Sequence, residues 1–196
     1  MAKKVIIVGS GNAALTAGIA ALEKGAKVLL LEKGSKDLAG GNTKYTAGAM
    51  RFSYNNGEEL LPLIRDTKDE RLLSTEFGSY TKNKFKEDLL SFNDGNPITE
   101  EQEILVEKSY ETICWLASHD VKFEPIYNRQ SFKKDNKYIF WGGLTLASEN
   151  EGVGLFEQEL KSFLSLGGEI KYENTVTNLL LEDDKVIGVQ TKKDKL

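Results

Sequence analysis

The chain has 196 residues, 40% of them hydrophobic and 29% charged, with 18 Gly and 3 Pro, a balance that suits a globular fold and excludes a disordered or collagenous one. Lys plus Arg is 26 against 30 for Asp plus Glu, a net charge of -4, which argues against binding nucleic acid through bulk charge. A single cysteine, Cys114, excludes an internal disulfide and argues against structural zinc, and a single histidine, His119, excludes any site that needs two imidazoles.

In chain order, the β-branched run at residues 4 to 8, closed by Gly9, predicts a buried parallel strand. Residues 12 to 24 are rich in Ala and Leu and predict a helix, ended by Gly25. Residues 27 to 32 predict a second buried strand, completing a βαβ unit. A glycine-rich loop follows, from Gly34 to Gly57, and then charged pieces of helix such as Asn83 to Phe92. Thr99 and Gln102 form a capping box for a helix to about Ser118, with Leu105, Thr112, Ile113, Leu116 and Ala117 on one face. Residues 121 to 141 read as short strands and loops. Gly152 to Leu166 predicts a helix whose apolar face holds Leu155, Phe156, Leu160, Phe163 and Leu164. Glu169 to Val176 predicts a strand, and a hairpin turning at Asp183-Asp184 leads to a return strand over Lys185 to Thr191. No apolar run approaches the roughly 20 residues that span a bilayer, and the four apolar residues after Lys4 are too few for a signal peptide. A cytoplasmic chain without stable membrane insertion is expected.

The motif that carries chemistry is Gly9-Ser10-Gly11-Asn12-Ala13-Ala14. Each part has a physical job. Gly9 permits a tight turn out of the strand, Gly11 lets backbone approach a pyrophosphate, and Ala14 lets the helix pack close to the strands. The helix start offers free N–H groups and a partial positive charge to phosphates. Glu32, at the end of the second strand, stands where an acid accepts hydrogen bonds from the adenosine ribose, and an acid there disfavours a 2′-phosphate. The fingerprint alone does not separate FAD from NAD. The second small-residue loop does, Gly40-Gly41-Asn42-Thr43 and then Ala47-Gly48-Ala49, because an NAD-binding unit usually leads soon into another helix. Small side chains at these positions would let backbone lie against a flat ring.

Together with Leu31-Glu32-Lys33 and Met50-Arg51-Phe52, these motifs resemble the FAD-binding start of the fumarate reductase/succinate dehydrogenase flavoprotein superfamily, and within it most nearly the FAD-dependent tricarballylate dehydrogenases. Phe140-Trp141-Gly142-Gly143, ahead of a helix and a strand ending in Val176, adds to the likeness. The resemblance implies an α/β, Rossmann-like FAD-binding fold, a parallel sheet with a β-hairpin or meander. It implies that Gly9, Gly11, Asn12 and Ala13 hold the pyrophosphate and Glu32 the ribose, with Lys33 near the adenosine. Gly41, Asn42 and Thr43 would run along pyrophosphate and flavin, Ala47, Gly48 and Ala49 would pass the isoalloxazine, and Val176 would meet the adenine through its backbone. Residues 1–57 would be the βαβ unit and flavin loop, 58–137 a helical insertion, and 138–196 the continuation of the FAD domain.

The resemblance also implies a flavin-dependent dehydrogenase or reductase of a small carboxylate, with an electron-transfer partner. The substrate-capping domain and its carboxylate-gripping residues are missing, so the chain is expected to be a fragment, inactive alone, with no catalytic residue assigned and no metal. The same fold with another substrate, such as a ketosteroid, and a non-catalytic dinucleotide-binding remnant stay open. Cys114 and His119 read as packing and helix-end residues. Trp141 reads as a turn anchor more readily than a cleft residue. Arg51 could meet a carboxylate or simply lie at the surface. The pairs Glu100-Glu101 and Asp183-Asp184 read as helix-start and turn residues.

Overall fold

A computed structural model describes residues 2–193. Its first elements are β1 (Lys4–Val8), α1 (Asn12–Glu23), β2 (Lys27–Leu31), β3 (Ala49–Met50), β4 (Thr75–Glu76) and α2 (Lys82–Leu90). Next come α3 (Glu100–Ser118), β5 (Phe123–Pro125), α4 (Tyr127–Gln130), β6 (Ser131–Lys134), β7 (Lys137–Phe140) and β8 (Leu146–Ser148). The chain ends through α5 (Glu151–Ser165), β9 (Glu169–Lys171), β10 (Val176–Glu182) and β11 (Lys185–Thr191). Two compact units result, one formed by the chain up to Thr46 and from Gly152 onward, the other by Ala47–Glu151.

The first unit is built on a parallel sheet in the order β1-β2-β9. β1 pairs with β2 from Lys4↔Lys27 to Val8↔Leu31, and β2 with β9 from Leu29↔Glu169 to Leu31↔Lys171. Parallel neighbours cannot be joined by a tight turn, so a helix makes the crossover; α1 does this between β1 and β2. Its buried residues Ala14, Leu15, Gly18 and Ile19 recur at helical spacing. A Cβ on Gly18 would stand 2.8 Å from the Phe163 ring of α5, so the missing side chain is what lets these two helices close up. Gly25, at φ 77°, takes the left-handed position just past the helix end and donates its N–H to Leu22 O.

The α/β class and the parallel sheet agree with expectation, and so does the hairpin of β10 and β11. Asp183 and Asp184 sit at φ 48° and 58°, the pair of left-handed residues that a tight hairpin turn requires. The expected strand to Val176 is shorter, because β9 stops at Lys171. Beyond it the N–H groups of Glu173 and Asn174 turn back to Gly34 O and Glu32 O instead of extending the ladder. Val176 therefore opens β10, opposite Thr191. On α5, Leu164 is exposed rather than buried, and the covered face includes Leu155, Phe156, Glu159 and Phe163.

The second unit holds two three-stranded sheets, β3-β8-β5 and β4-β7-β6, and the helices α2 and α3. The capping box of α3 forms in both directions, Thr99 Oγ1 accepting from Gln102 N at 3.2 Å and Gln102 Oε1 from Thr99 N at 3.1 Å. Its buried stripe is Val106, Ser109, Ile113 and Leu116, while Leu105 is exposed. Within the stripe the Ser109 hydroxyl accepts from Ser53 N at 3.0 Å. That core is aromatic. Phe52, Tyr54 and Phe123 are fully buried, and Tyr54 donates its hydroxyl to Phe77 O at 2.9 Å.

Candidate cofactor site

The first unit gathers the fingerprint residues around the C-terminal ends of β1 and β2. Gly9 leaves β1 at φ 101°, with its N–H on Leu31 O at 2.9 Å. Nothing lies within 4 Å of where its Cβ would be, so glycine is required by backbone conformation and not by crowding. Gly11 is the N-cap of α1 and makes no side-chain cap. Its Cβ would lie 3.2 Å from Thr43 Oγ1 and 3.4 Å from Gly40 O. The bare backbone there forms the floor of a narrow cradle.

Three hydrogen bonds tie this turn to residues far along the chain. Asn12 N, the first amide of α1, donates to Thr43 Oγ1 at 2.9 Å. The buried Ser10 hydroxyl donates to Glu32 Oε2 at 2.5 Å and accepts from Gly40 N at 3.0 Å. Glu32 Oε1 accepts from Gly34 N at 2.7 Å. A carboxylate oxygen has two acceptor sites, so both oxygens keep one for another donor. The charge is felt nearby: burial first and then Glu32 push the Tyr172 phenol above its ordinary range.

The expected residues fall into three groups. Gly9, Gly11, Asn12, Ala13, Glu32, Gly41 and Thr43 belong to one turn-and-loop assembly, and Val176 follows two residues after Asn174, whose N–H holds Glu32 O. Lys33 and Asn42 are exposed. Ala47, Gly48 and Ala49 lie in the second unit. There Gly48 sits at φ 64°, its O accepting from Ser148 N at 3.0 Å, and a Cβ would stand 2.3 Å from Ser148 Oγ.

Sequence reasoning gave no role of their own to Ser10 and Gly152. Ser10 was legible only as a small hydroxyl residue between two glycines. Gly152 gives no local signal, yet its Cβ would fall 2.0 Å from Thr43 O. The start of α5 is thus packed directly under the loop that carries Thr43. No cluster of metal-ligating side chains occurs among the described residues.

The cradle fits a dinucleotide. Bare backbone at Gly9 and Gly11 leaves room for a pyrophosphate, and Glu32 keeps acceptor sites for ribose hydroxyls. Helix N-termini with bare backbone favour phosphate for the reasons of dipole and free N–H groups.

Residues 4–195 match the family model described as FAD binding domain. The chain belongs to that family, the FAD-binding domain of the fumarate reductase/succinate dehydrogenase flavoproteins, and its cofactor is FAD. Its sequence is similar to the NADH:fumarate oxidoreductase of Klebsiella pneumoniae (strain 342), 26% identical over 191 residues, which is 97% of this chain and 18% of that protein. It is also similar to the fumarate reductase (cytochrome) of Shewanella frigidimarina, 42% identical over 55 residues, or 28% of this chain and 9% of the relative. Among solved structures, the 3-ketosteroid-Δ4-(5α)-dehydrogenase of Rhodococcus jostii RHA1 superposes with a TM-score of 0.70 at 20% identity, over 97% of this chain and 42% of that one. The open conformation of a flavocytochrome c3 fumarate reductase gives 0.66 at 20% identity, over 97% and 30%. At these identities the superpositions show a shared fold and nothing about substrate. The chain spans less than a fifth of the length of the fumarate reductases it matches.

Proposed function

We propose that this chain forms the adenosine- and pyrophosphate-binding part of an FAD-dependent oxidoreductase that acts on a small polycarboxylate, tricarballylate- or fumarate/succinate-like. The observation that carries the reading is the linked pair Ser10–Glu32 and Asn12–Thr43, which fixes an acid and a helix start around one backbone cradle. Small-carboxylate chemistry rests on the two fumarate reductase relatives and on the sequence resemblance.

Bound FAD would supply a two-electron carrier for hydride exchange with substrate. The chain's own residues do the holding. Gly9, Gly11, Asn12 and Ala13 would line the pyrophosphate with bare backbone, the N–H groups of Gly9 and Asn12 being held by Leu31 O and Thr43 Oγ1. Thr43, whose hydroxyl accepts from Asn12 N, keeps its own O–H to donate to a phosphate oxygen. Glu32 takes ribose hydroxyls on its remaining acceptor sites, with Lys33 beside it, and Val176 offers backbone to the adenine. Gly41 and Asn42 would lie along pyrophosphate and flavin, and Ala47, Gly48 and Ala49 would give the isoalloxazine a strip with no bulky side chain. Residues that orient the substrate and deliver its proton would come from polypeptide supplied elsewhere in the enzyme, as would the route to an electron-transfer partner. No helix among the described residues is long and apolar enough to cross a membrane, and we place the enzyme in the cytoplasm on the character of the sequence.

The test is a visible spectrum of the purified chain after incubation with FAD and removal of free cofactor. Flavin bands near one equivalent are expected. A chain that stays colourless overturns cofactor holding by this polypeptide. Loss of the oxidised-flavin bands on adding tricarballylate, or their return on adding fumarate to the reduced enzyme, then checks the substrate class in the full-length enzyme, and turnover of a ketosteroid alone would replace it.

A further inference from the structure

Arg51 follows β3 in the second unit, and the structure shows how its guanidinium is held. Nη1 donates to the Tyr80 hydroxyl at 2.8 Å and lies 3.3 Å from Asp88 Oδ2. Tyr80 in turn donates to the same Asp88 oxygen at 2.7 Å. Tyr80 is itself fixed, almost fully buried and paired with Tyr54 by two backbone hydrogen bonds. Burial, with the Asp88 hydrogen bond next, pushes the Tyr80 phenol up to about 12, so it remains a donor to Asp88 at any ordinary pH. The Tyr80 hydrogen bond, with Lys84 next, holds Asp88 below the usual carboxylate range. Space for the guanidinium comes from Gly143, where a Cβ would stand 2.6 Å from Arg51 Nη1.

All the hydrogen bonds of this guanidinium fall on Nη1; Nε and Nη2 make none among the described residues. Yet these two atoms form the edge that grips a carboxylate with two parallel bonds. The edge is not sealed. The Arg51 side chain is 39% exposed and lines an open cavity of about 390 Å³ shared with Phe85, Asp88, Leu89, Ser91 and Phe92. Phe85, Leu89 and Phe92 give that cavity a hydrocarbon wall. A rigidly held cation beside an apolar wall suits an aliphatic carboxylate better than a bare inorganic anion, which has nothing to lay against the wall.

We propose that Arg51 is a carboxylate-binding residue, taking one carboxylate of a small aliphatic polycarboxylate on its Nε and Nη2 while Tyr80, Asp88 and Gly143 hold the guanidinium in place. The assignment deepens the substrate reading above and rests on it for the choice of ligand. The geometry that prepares Arg51 does not depend on flavin.

The arginine Nε–Hε signals of the 196-residue chain report this directly by NMR, since Arg51 can be assigned against Arg65, Arg71 and Arg129 by its loss in Arg51→Lys. On titration with tricarballylate the Arg51 signal should move and saturate, with the other three nearly still. Arg51→Lys should bind roughly tenfold more weakly, because an ammonium cannot present the two-pronged edge. The trimethyl ester should not bind, and inorganic phosphate should bind more weakly than tricarballylate. The proposal is overturned if all four arginine signals move alike, if Arg51→Lys binds as the parent does, or if phosphate matches tricarballylate. Flavin uptake by the same samples is read separately from their colour. A colourless chain whose Arg51 signal still saturates would sink the FAD-holding reading and leave this one standing, and a yellow chain with an unmoved Arg51 signal would do the reverse.

Discussion

The two units of this chain organise their buried polar atoms in opposite ways. In the first, polar side chains converge on a turn and leave acceptor capacity over: Glu32 keeps a site on each oxygen, and Asn12 Oδ1 has no partner. In the second, buried polar atoms close on one another. Tyr54 joins Phe77 O and Thr145, and Ser53 joins Ser109, inside an aromatic core. A region with unmet polar valence is built to receive something, whereas one whose valence is met internally is built to hold shape. Arg51 is the exception within the second unit, a cation with an open edge at its surface.

The largest expected effect breaks the second unit. Phe52 is almost fully buried against Tyr54 and Tyr110. Phe52→Ala should cost about 3–5 kcal/mol of stability, the range for an aromatic removed from a packed core, measured as a lowered denaturant midpoint at constant slope. A cost under about 1 kcal/mol would mean that this core is not the rigid element described.

The next test concerns the first unit's other unmet group. Glu159 of α5 is fully buried with neither oxygen bonded, and burial raises its carboxyl to about 8. Its folded value lies above its unfolded one, so the native state keeps a proton that the unfolded chain releases. Stability from this group is therefore whole below about pH 4.5 and declines as pH rises to about 8, by roughly 1.4 kcal/mol per pH unit across the window. Glu159→Gln cannot ionise and should flatten that slope. Urea midpoints measured from about pH 5 to 8.5 check it; equal slopes in both proteins would show that Glu159 finds a partner. Gly152→Ala, which would press a methyl group onto Thr43 O, should cost about 1–3 kcal/mol and weaken FAD uptake with it.

What the sequence made legible divides by range along the chain and not by unit. Gly9, Gly11 and Glu32 were readable because a turn, a helix start and a strand end stand at fixed short spacings, each with its own stereochemical demand. The Thr99–Gln102 box and the Asp183-Asp184 turn were readable for the same reason. The packing choices were not. The inward face of α3 carries Val106 and not Leu105, with Ser109 meeting Ser53, 56 residues away, and no periodicity encodes such a long-range contact. Glu159 carried no signal in the sequence, because the burial of a helix acid is decided by packing against elements distant along the chain. Arg51 could be named but not weighed, since Tyr80, Asp88 and Gly143 reach it only through the fold.

The smallest of these effects sharpens the comparison most, because it sets the two units' hydrogen bonds side by side. Ser10→Ala removes the donor to Glu32 Oε2 and the acceptor for Gly40 N at a buried site. Thr99→Ala removes a helix cap at an exposed one. Stability alone barely separates them: about 1–3 kcal/mol is expected for the buried loss and about 1 kcal/mol for the cap. Cofactor affinity does. Ser10→Ala frees Glu32 to turn from the ribose-binding position proposed for it and lets the Gly40 loop drift from the helix start, so FAD should bind about tenfold or more weakly by fluorescence titration. Thr99→Ala touches nothing in the cradle and should leave FAD affinity within about twofold at temperatures where both proteins are folded. Equal losses of affinity in the two variants would mean that FAD uptake follows global stability, and the Ser10–Glu32 pair would then be a packing contact like any other rather than the anchor of the cradle.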